Sequence, residues 1–158
     1  MNYMTKPVIP IFFSTDDNYA PYLGTAISSL TENASENYSY KIYVLTTGLS
    51  VLNRFKLRFC VKKHAKVYFV NVSDRLDKVA DMLYLRDYYS KATYYRFFIA
   101  DLFVQYSKAI YLDCDIIVNG DISELYNTDL KNDLLAAVPE EVMQKVPVFG
   151  NYVEQVLE

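Results

Sequence analysis

The chain of 158 residues has no tryptophan, only four glycines and only two cysteines, Cys60 and Cys114. Two cysteines far apart form neither a disulfide framework nor a paired-cysteine zinc site. Positive charge is not in excess, since 16 Lys and Arg against 19 Asp and Glu give a net charge of −3. This balance argues against a nucleic-acid-binding protein, which needs a basic face to neutralise phosphates.

Two kinds of segment are also missing. No apolar run approaches the roughly 18 residues of a transmembrane helix, and the N-terminus lacks the basic start and apolar core of a signal peptide. We therefore expect a cytoplasmic protein without a transmembrane segment. The sequence also lacks a Gly-rich dinucleotide fingerprint, a phosphate loop ending in Gly-Lys-Ser/Thr, a serine elbow and a Cys/His pair, so it does not indicate a covalent nucleophile.

What the sequence does contain is an alternation of short apolar runs with longer amphipathic ones. Strands are predicted at Val8–Phe13, Tyr40–Leu45, Lys66–Val72, Ala109–Leu112 and Leu134–Val138. Helices are predicted from Pro21 to about Leu30 and from Ser50 to near His64, the second with Leu52, Phe55 and Phe59 at helical spacing. A third is predicted after a cap at Ser73 or Asp74. A fourth is predicted over Thr93–Tyr106 with Phe97, Ala100 and Val104 on its apolar side, and a short fifth at the C-terminal end.

This order of elements predicts the fold class. Strands that alternate with helices and are apolar throughout indicate an α/β fold, with a mostly parallel, doubly wound sheet flanked by helices. Pro7 and Pro10 suggest an edge position or a late start for the first strand. We see no linker, so residues 1–158 are expected to form a single domain.

In such sheets ligands bind beyond the carboxyl ends of the strands, where the strand order reverses. Two polar loops follow predicted strands: Ser14–Tyr19 and Asp113–Asp115. If the chain is extended at the second loop, the carboxylates of Asp113 and Asp115 point to the same side and repel each other unless a cation lies between them. Magnesium or manganese suits such oxygen ligands. Asp and Asn are also common turn residues, so either loop could be an ordinary turn.

Taken together, these segments resemble glycosyltransferase family 8, which includes retaining galactosyl- and glucosyltransferases that build lipopolysaccharide. The matching segments are Phe13-Ser-Thr-Asp-Asp-Asn-Tyr-Ala20, Thr93-Tyr-Tyr-Arg96, Tyr111-Leu-Asp-Cys-Asp-Ile-Ile-Val118, Asp121-Ile-Ser-Glu-Leu-Tyr126 and Ala136-Ala-Val-Pro-Glu140. Each segment alone is a weak signal, but their order along the chain is specific.

The resemblance implies a GT-A-type, Rossmann-like fold, a UDP-galactose or UDP-glucose donor, Mn²⁺ or Mg²⁺, and a glycan or lipid-linked saccharide acceptor. The donor-binding residues that it implies are Ser14, Thr15, Asp16, Asn18, Tyr19, Arg96, Asp113, Cys114 and Asp115. Among them Asp16 and Asn18 would hold the uridine, Arg96 would contact the sugar or diphosphate, and Asp113 and Asp115 would bind the metal. The resemblance assigns no catalytic nucleophile.

The sequence departs from the family pattern in its later part. Relatives continue with an Asn-Ala-Gly segment and a His-x-x-Gly-x-x-Lys stretch, and neither occurs here. We therefore expect the N-terminal, nucleotide-sugar-binding part of a catalytic domain, with weak donor binding and incomplete activity alone. The expected location is the cytoplasm, and peripheral attachment of the full-length protein to the inner face of the membrane is left open. Two alternatives stay open: a non-catalytic nucleotide-binding module that self-associates, and an aspartate-based phosphatase with Asp113-Cys-Asp115 as its motif.

Overall fold

The computed structural model describes residues 6–62, 64–79 and 91–139. The chain forms two compact units, Met1–Asn127 and Thr128–Glu158. All helices and strands of the described residues lie in the first unit. Its elements are, in order, β1 Val8–Ser14, α1 Ala20–Asn33, β2 Ser39–Thr46, α2 Val51–Cys60, β3 Ala65–Asn71, α3 Ser73–Asp77, a 3₁₀ helix Lys91–Phe98, α4 Ile99–Leu102, β4 Ile110–Tyr111 and α5 Ile122–Tyr126. The single domain over residues 1–158 stays a prediction.

The four strands form one parallel sheet with the order β3-β2-β1-β4. From β1 the chain moves outward through β2 to β3, and it then returns to the other side of β1 to form β4. The strand order therefore reverses between β1 and β4, which places a ligand-binding crevice at the carboxyl ends of these two strands. The predicted α/β fold with a mostly parallel sheet is confirmed.

Strand β1 is buried on both faces. Ile9, Ile11 and Phe13 pack with α1 in one apolar cluster, whereas Phe12 packs with Tyr43 in the other cluster on the opposite face. Because successive strand residues point to opposite faces, a doubly covered strand is apolar at nearly every position. This double burial makes β1 the centre of the core.

Of the two alternatives for the prolines, the edge position was wrong, because β1 lies between β2 and β4. The strand begins directly after Pro7, at Val8. A proline is tolerated in this inner strand since β4 pairs only with Ile11 and Phe12. Pro10 therefore lies where β1 is flanked by β2 alone, and its missing N–H does not interrupt the pairing with β4.

The helix predicted over Thr93–Tyr106 is instead a 3₁₀ helix followed by the four-residue α4. With three residues per turn, the residues facing the core recur at every third position. Ala92, Tyr95 and Phe98 have that spacing and pack in the Phe12 cluster. The three residues predicted for the apolar side are all exposed: Phe97, Ala100 and Val104. The α-helical period of 3.6 residues therefore predicted the wrong face of this segment to be buried.

Other helix ends differ from the prediction by a few residues. Helix α2 ends at Cys60 rather than near His64, although Ser50 caps it as predicted, with Oγ accepting a hydrogen bond from the Asn53 N–H at 3.3 Å. Ser73 is the first residue of α3, and Val72 occupies the N-cap position without a side-chain hydrogen bond. The predicted cap at Ser73 or Asp74 was therefore wrong.

In the second unit, residues 128–139 contain no helix or strand, so the strand predicted over Leu134–Val138 is not formed. A strand exists only where it pairs with a neighbour, and those residues offer no second strand to pair with. The predicted closing helix and Glu140 lie outside the described residues. Within those residues no helix is long and apolar enough to cross a membrane.

Candidate functional site

The site lies at the carboxyl ends of β1 and β4, where backbone hydrogen bonds extend the sheet by one residue on each side. The Thr15 N–H donates to the Leu45 carbonyl at 3.1 Å, and the Leu112 N–H donates to the Phe12 carbonyl at 3.0 Å. Ser14 and Thr15 are consequently buried. Ser14 Oγ is buried without a hydrogen-bond partner among the described residues, so a polar group is held at the base of the crevice.

The loop after β1 is closed by its own carboxylate. Asp16 Oδ1 accepts a hydrogen bond from the Tyr19 N–H at 2.9 Å, which is the turn that Asp commonly makes before a helix. Asn18 and Tyr19 are exposed, and the Tyr19 ring lies 5.4 Å from the Tyr22 ring. The turn interpretation of this loop is thus correct for Asp16, while Asn18 and Tyr19 face solvent beside it.

A residue that was not predicted fixes the same loop to the N-terminus of α2. Asp17 Oδ1 accepts hydrogen bonds from the Ser50 N–H and from Asn53 Nδ2, each at 2.8 Å. These bonds, the one from Ser50 first, hold the pKa of the Asp17 carboxyl below its usual range. The β1 loop and the first turn of α2 therefore form one connected surface.

Arg96 reaches the loop after β4. Its Nε donates to the Thr93 carbonyl at 3.0 Å, and its Nη2 lies 3.3 Å from Asp113 Oδ1. The guanidinium carbon lies 4.5 Å from the centroid of the Tyr111 ring, a cation–π contact. Since the side chains of Arg96 and Asp113 are 37% and 60% exposed, the ion pair itself is of the weak surface kind. The structure thus brings two predicted site residues into contact across 17 positions of sequence.

The Asp113-Cys-Asp115 segment is not an extended strand. Strand β4 ends at Tyr111, and the chain turns at Cys114 and Asp115. The geometric argument that both carboxylates point to one side therefore does not apply. Both aspartates are exposed, whereas Cys114 is half-buried. Burial and the Asp115 carboxylate raise the pKa of the Cys114 thiol, and the Thr15 hydroxyl only partly opposes them. A neutral thiol is neither a nucleophile nor a metal ligand.

A divalent cation is compatible with the donors of this loop. Carboxylate oxygens suit Mg²⁺ or Mn²⁺, and such ions commonly keep water in their remaining positions. The described residues contain no group of three His, Cys, Asp or Glu side chains that could enclose a metal. Asp113 and Asp115 offer two exposed carboxylates of the kind that a hydrated divalent ion accepts.

Two tyrosines complete the site and were not predicted. Tyr95 is buried and its hydroxyl lies 2.8 Å from Thr47 Oγ1. Burial raises the pKa of the Tyr95 phenol, and the hydrogen bond with Thr47 opposes this rise. The Asp16 carboxylate of the β1 loop raises the pKa further. Tyr111 carries the Arg96 contact. Tyr95 directly precedes Arg96, and that adjacency was the available signal among sixteen tyrosines.

The comparison with protein families gives one match. The sequence model described as glycosyl transferase family 8 matches residues 10–156, which covers nearly the whole chain and includes both loops of the site.

Individual proteins match as well. A putative glycosyltransferase of Haemophilus influenzae is 32% identical over 128 residues, which are 80% of this chain and 38% of that protein. The lipopolysaccharide glucosyltransferase WaaO of Escherichia coli is 31% identical over 136 residues, 84% of this chain and 39% of WaaO. The chain thus spans less than half the length of either relative.

Solved structures share the fold. The apo structure of the bifunctional glycosyltransferase WbbM superposes with a TM-score of 0.79 and 30% identity, covering 99% of this chain and 30% of WbbM. The galactosyltransferase LgtC, in complex with donor and acceptor sugar analogues, superposes with a TM-score of 0.67 and 27% identity, covering 87% of this chain and 51% of LgtC.

Proposed function

Because the chain belongs to glycosyl transferase family 8, we propose that it forms the donor-binding part of an enzyme that transfers galactose or glucose from a UDP-sugar to a saccharide, with retention of configuration. The observation that carries this proposal is the contact between Arg96 and Asp113 at the point where the strand order reverses. It joins a cation suited to phosphate with a carboxylate suited to a divalent ion.

The relatives support the choice of substrates. LgtC is described as a complex with donor and acceptor sugar analogues, and WaaO is named a lipopolysaccharide glucosyltransferase. For this chain we therefore propose a hexose as the transferred group and the hydroxyl of a glycan or lipid-linked saccharide as the acceptor.

Each side of the crevice would bind a different part of the donor. The loop after β1 supplies the buried backbone of Ser14 and Thr15, together with Asp16 and Asn18, for the uracil and ribose. The amide of Asn18 both donates and accepts hydrogen bonds, whereas an ionised Asp16 accepts them. On the other side, the planar guanidinium of Arg96 can donate two parallel hydrogen bonds to diphosphate oxygens.

Asp113 and Asp115 would hold Mn²⁺ or Mg²⁺, which when bound neutralises charge on the leaving diphosphate. Arg96 acts on the same charge through a fixed donor, since the Thr93 carbonyl and the Tyr111 ring hold its guanidinium in place. A preorganised cation stabilises developing negative charge without reorganising during the reaction. The half-buried Cys114 separates the two carboxylates.

Neither alternative function gains support from a specific observation. An aspartate-based phosphatase needs further motifs after Asp113-Cys-Asp115, whereas the family match includes this segment within a glycosyltransferase pattern. Self-association of a non-catalytic module would be compatible with the exposed edge of β3, but it explains neither Arg96 nor the two aspartates.

The proposal is tested by calorimetric titration of UDP into the chain with Mn²⁺ and then with EDTA. We expect binding only with the metal, and loss of that binding in Asp115→Ala with an unchanged melting temperature. Asp101→Ala is the matched control, because Asp101 is also an exposed aspartate but lies in α4. Equal affinity for UDP with Mn²⁺ and with EDTA would contradict the assignment of the metal ligands.

A further inference from the structure

Helix α2 turns one face to the core and the opposite face to solvent. Leu57 is its only buried residue and is 2% exposed. Four large apolar side chains are exposed instead: Val51 by 84%, Leu52 by 61%, Phe55 by 55% and Phe59 by 71%. At about 100° per residue these four positions fall within roughly one quadrant of the helix surface. We call them the α2 outer face.

The outer face is an organised surface. The rings of Phe55 and Phe59 meet edge to face with their centroids 4.6 Å apart. Single exposed apolar residues are normal, but contiguous apolar patches on a protein surface mark sites of interaction. The sequence predicted helical spacing for Leu52, Phe55 and Phe59, and the structure shows that the stripe they form faces away from the core.

Positive charge borders this patch. Helix α2 contains Arg54, Lys56 and Arg58 and no acidic residue, although the whole chain carries a net charge of −3. Helical spacing places Lys56 along one border of the outer face and Arg58 along the other. The Arg58 guanidinium lies 5.4 Å from the centroid of the Phe69 ring of β3, which holds that charge at its border.

We propose that the α2 outer face docks on an anionic lipid surface. Its apolar side chains would enter the boundary between headgroups and acyl chains, with Lys56 and Arg58 at the level of the anionic headgroups. This combination of an apolar stripe and flanking cations is typical of helices that lie in the membrane interface.

The flanking charges and the apolar stripe together select this occupant. A nucleic acid would neutralise the cations but leave four apolar side chains in water. A second copy of the chain packed on the same face would bring like-charged borders together. An anionic lipid surface accommodates both the cations and the apolar side chains. Docking there would bring the site close to lipid, since Asp17 connects the loop after β1 to the first turn of α2. This suits a lipid-linked acceptor, but the inference does not depend on the proposed function.

The test is co-sedimentation of the full 158-residue chain with vesicles of phosphatidylcholine alone and of equal amounts of phosphatidylcholine and phosphatidylglycerol. We expect binding to the mixed vesicles that weakens as salt rises. The double variant Phe55→Ser/Phe59→Ser should bind at least about tenfold more weakly, because two phenyl groups leave the interface. Lys56→Glu/Arg58→Glu should also bind at least about tenfold more weakly to the mixed vesicles.

Matched controls are Leu125→Ser, which removes another exposed apolar side chain, and Lys78→Glu, which reverses another exposed cation. Both should bind as the unmodified chain does, and the melting temperatures of all variants establish that they are folded. Absence of binding to mixed vesicles, or equal binding by the double variants, would overturn the proposal. So would a concentration-dependent dimer that Phe55→Ser/Phe59→Ser abolishes without lipid, because the face would then join two copies.

Discussion

Replacing Tyr111 by leucine tests what holds Arg96 in the site. The Tyr111 ring lies 4.5 Å from the guanidinium carbon of Arg96. Leucine keeps an apolar side chain at the end of β4 but removes the aromatic face. Burial raises the pKa of the Tyr111 phenol, and the Arg96 guanidinium only partly opposes that rise. The ring is therefore neutral at physiological pH and acts on Arg96 through its π face.

The expected loss follows from the exposure of the pair. Cation–π contacts contribute roughly 0.5–1 kcal/mol when exposed and about 2 kcal/mol or more when desolvated. The Arg96 side chain is 37% exposed, so we expect its contact with the Tyr111 ring to contribute about 1 kcal/mol. This corresponds to roughly fivefold weaker binding of UDP in the presence of Mn²⁺, measured by titration calorimetry. Tyr111→Phe retains the ring and should bind UDP as the unmodified chain does.

A double-mutant cycle makes the reasoning refutable. In the background of Arg96→Gln, the substitution Tyr111→Leu should no longer change the affinity for UDP, because the partner of the ring is gone. An equal loss with and without Arg96 would show that Tyr111 acts on the nucleotide directly. A loss in Tyr111→Phe as large as in Tyr111→Leu would show that the hydroxyl, and not the ring, matters. Melting temperatures identify any variant whose loss comes from unfolding.

Three further predictions concern the scaffold and are measured as free energies of unfolding in urea. Asp121→Ala should destabilise the chain by about 1–3 kcal/mol, because Asp121 Oδ1 accepts hydrogen bonds from the Ser123 and Ser35 N–H groups. Asp121→Asn should lose much less stability, because the amide oxygen can still accept. Equal losses of stability in the two variants would exclude a capping role for Asp121. Phe12→Ala should lower the free energy of unfolding by about 3–5 kcal/mol, because Phe12 is fully buried. Phe12→Leu should lower it markedly less. A decrease below about 1 kcal/mol in Phe12→Ala would contradict the assigned core. Burial, and then the Asp121 carboxylate, raise the pKa of Tyr40 from 10.0 to about 12. The associated stability is complete below pH 10 and is lost as the pH rises toward 12. Tyr40→Phe should reduce the decline in stability with rising pH. An unchanged dependence of stability on pH in Tyr40→Phe would contradict the assignment of this decline to Tyr40.

The sheet and the location of the site could be predicted because both depend on strongly patterned strands. Strands β1 and β2 are buried on both faces and are apolar almost without interruption, so their positions are evident without knowledge of their neighbours. The reversal of strand order then follows from one strand returning beside β1, and it places Asp16 and Asp113 at the same edge of the sheet.

The segment Lys91–Phe98 could not be predicted, because its period is not that of an α-helix. In Lys91–Phe98 a repeat of three residues places Ala92, Tyr95 and Phe98 in the core, and a search for a period of 3.6 assigns Phe97 to that face instead. The same error hid Tyr95, whose hydroxyl contacts Thr47. Contacts of this kind depend on tertiary structure and leave no local pattern.

The α2 outer face shows a different limit of sequence patterns. An apolar stripe at helical spacing predicts a helix but does not say what covers the stripe. In α1 the stripe with Leu23, Ile27 and Leu30 packs on the sheet. In α2 Leu57 alone is buried, while Phe55 and Phe59 face solvent. Only the structure separates a core stripe from one that is available to a partner.

The geometry around Arg96 suggests why a ring and a carboxylate both contact it. The pair with Asp113 has a separation of 3.3 Å and is well exposed, so it contributes on the order of 0–1 kcal/mol. On the proposed function, Asp113 would therefore exchange the guanidinium for a divalent ion at small cost. The Tyr111 ring and the Thr93 carbonyl do not take part in that exchange, and they keep Arg96 at the crevice. Arg96 would then turn hydrogen-bond donors from the aspartate toward phosphate oxygens without leaving its position. We therefore expect the contact with Tyr111 to have the larger effect on donor binding.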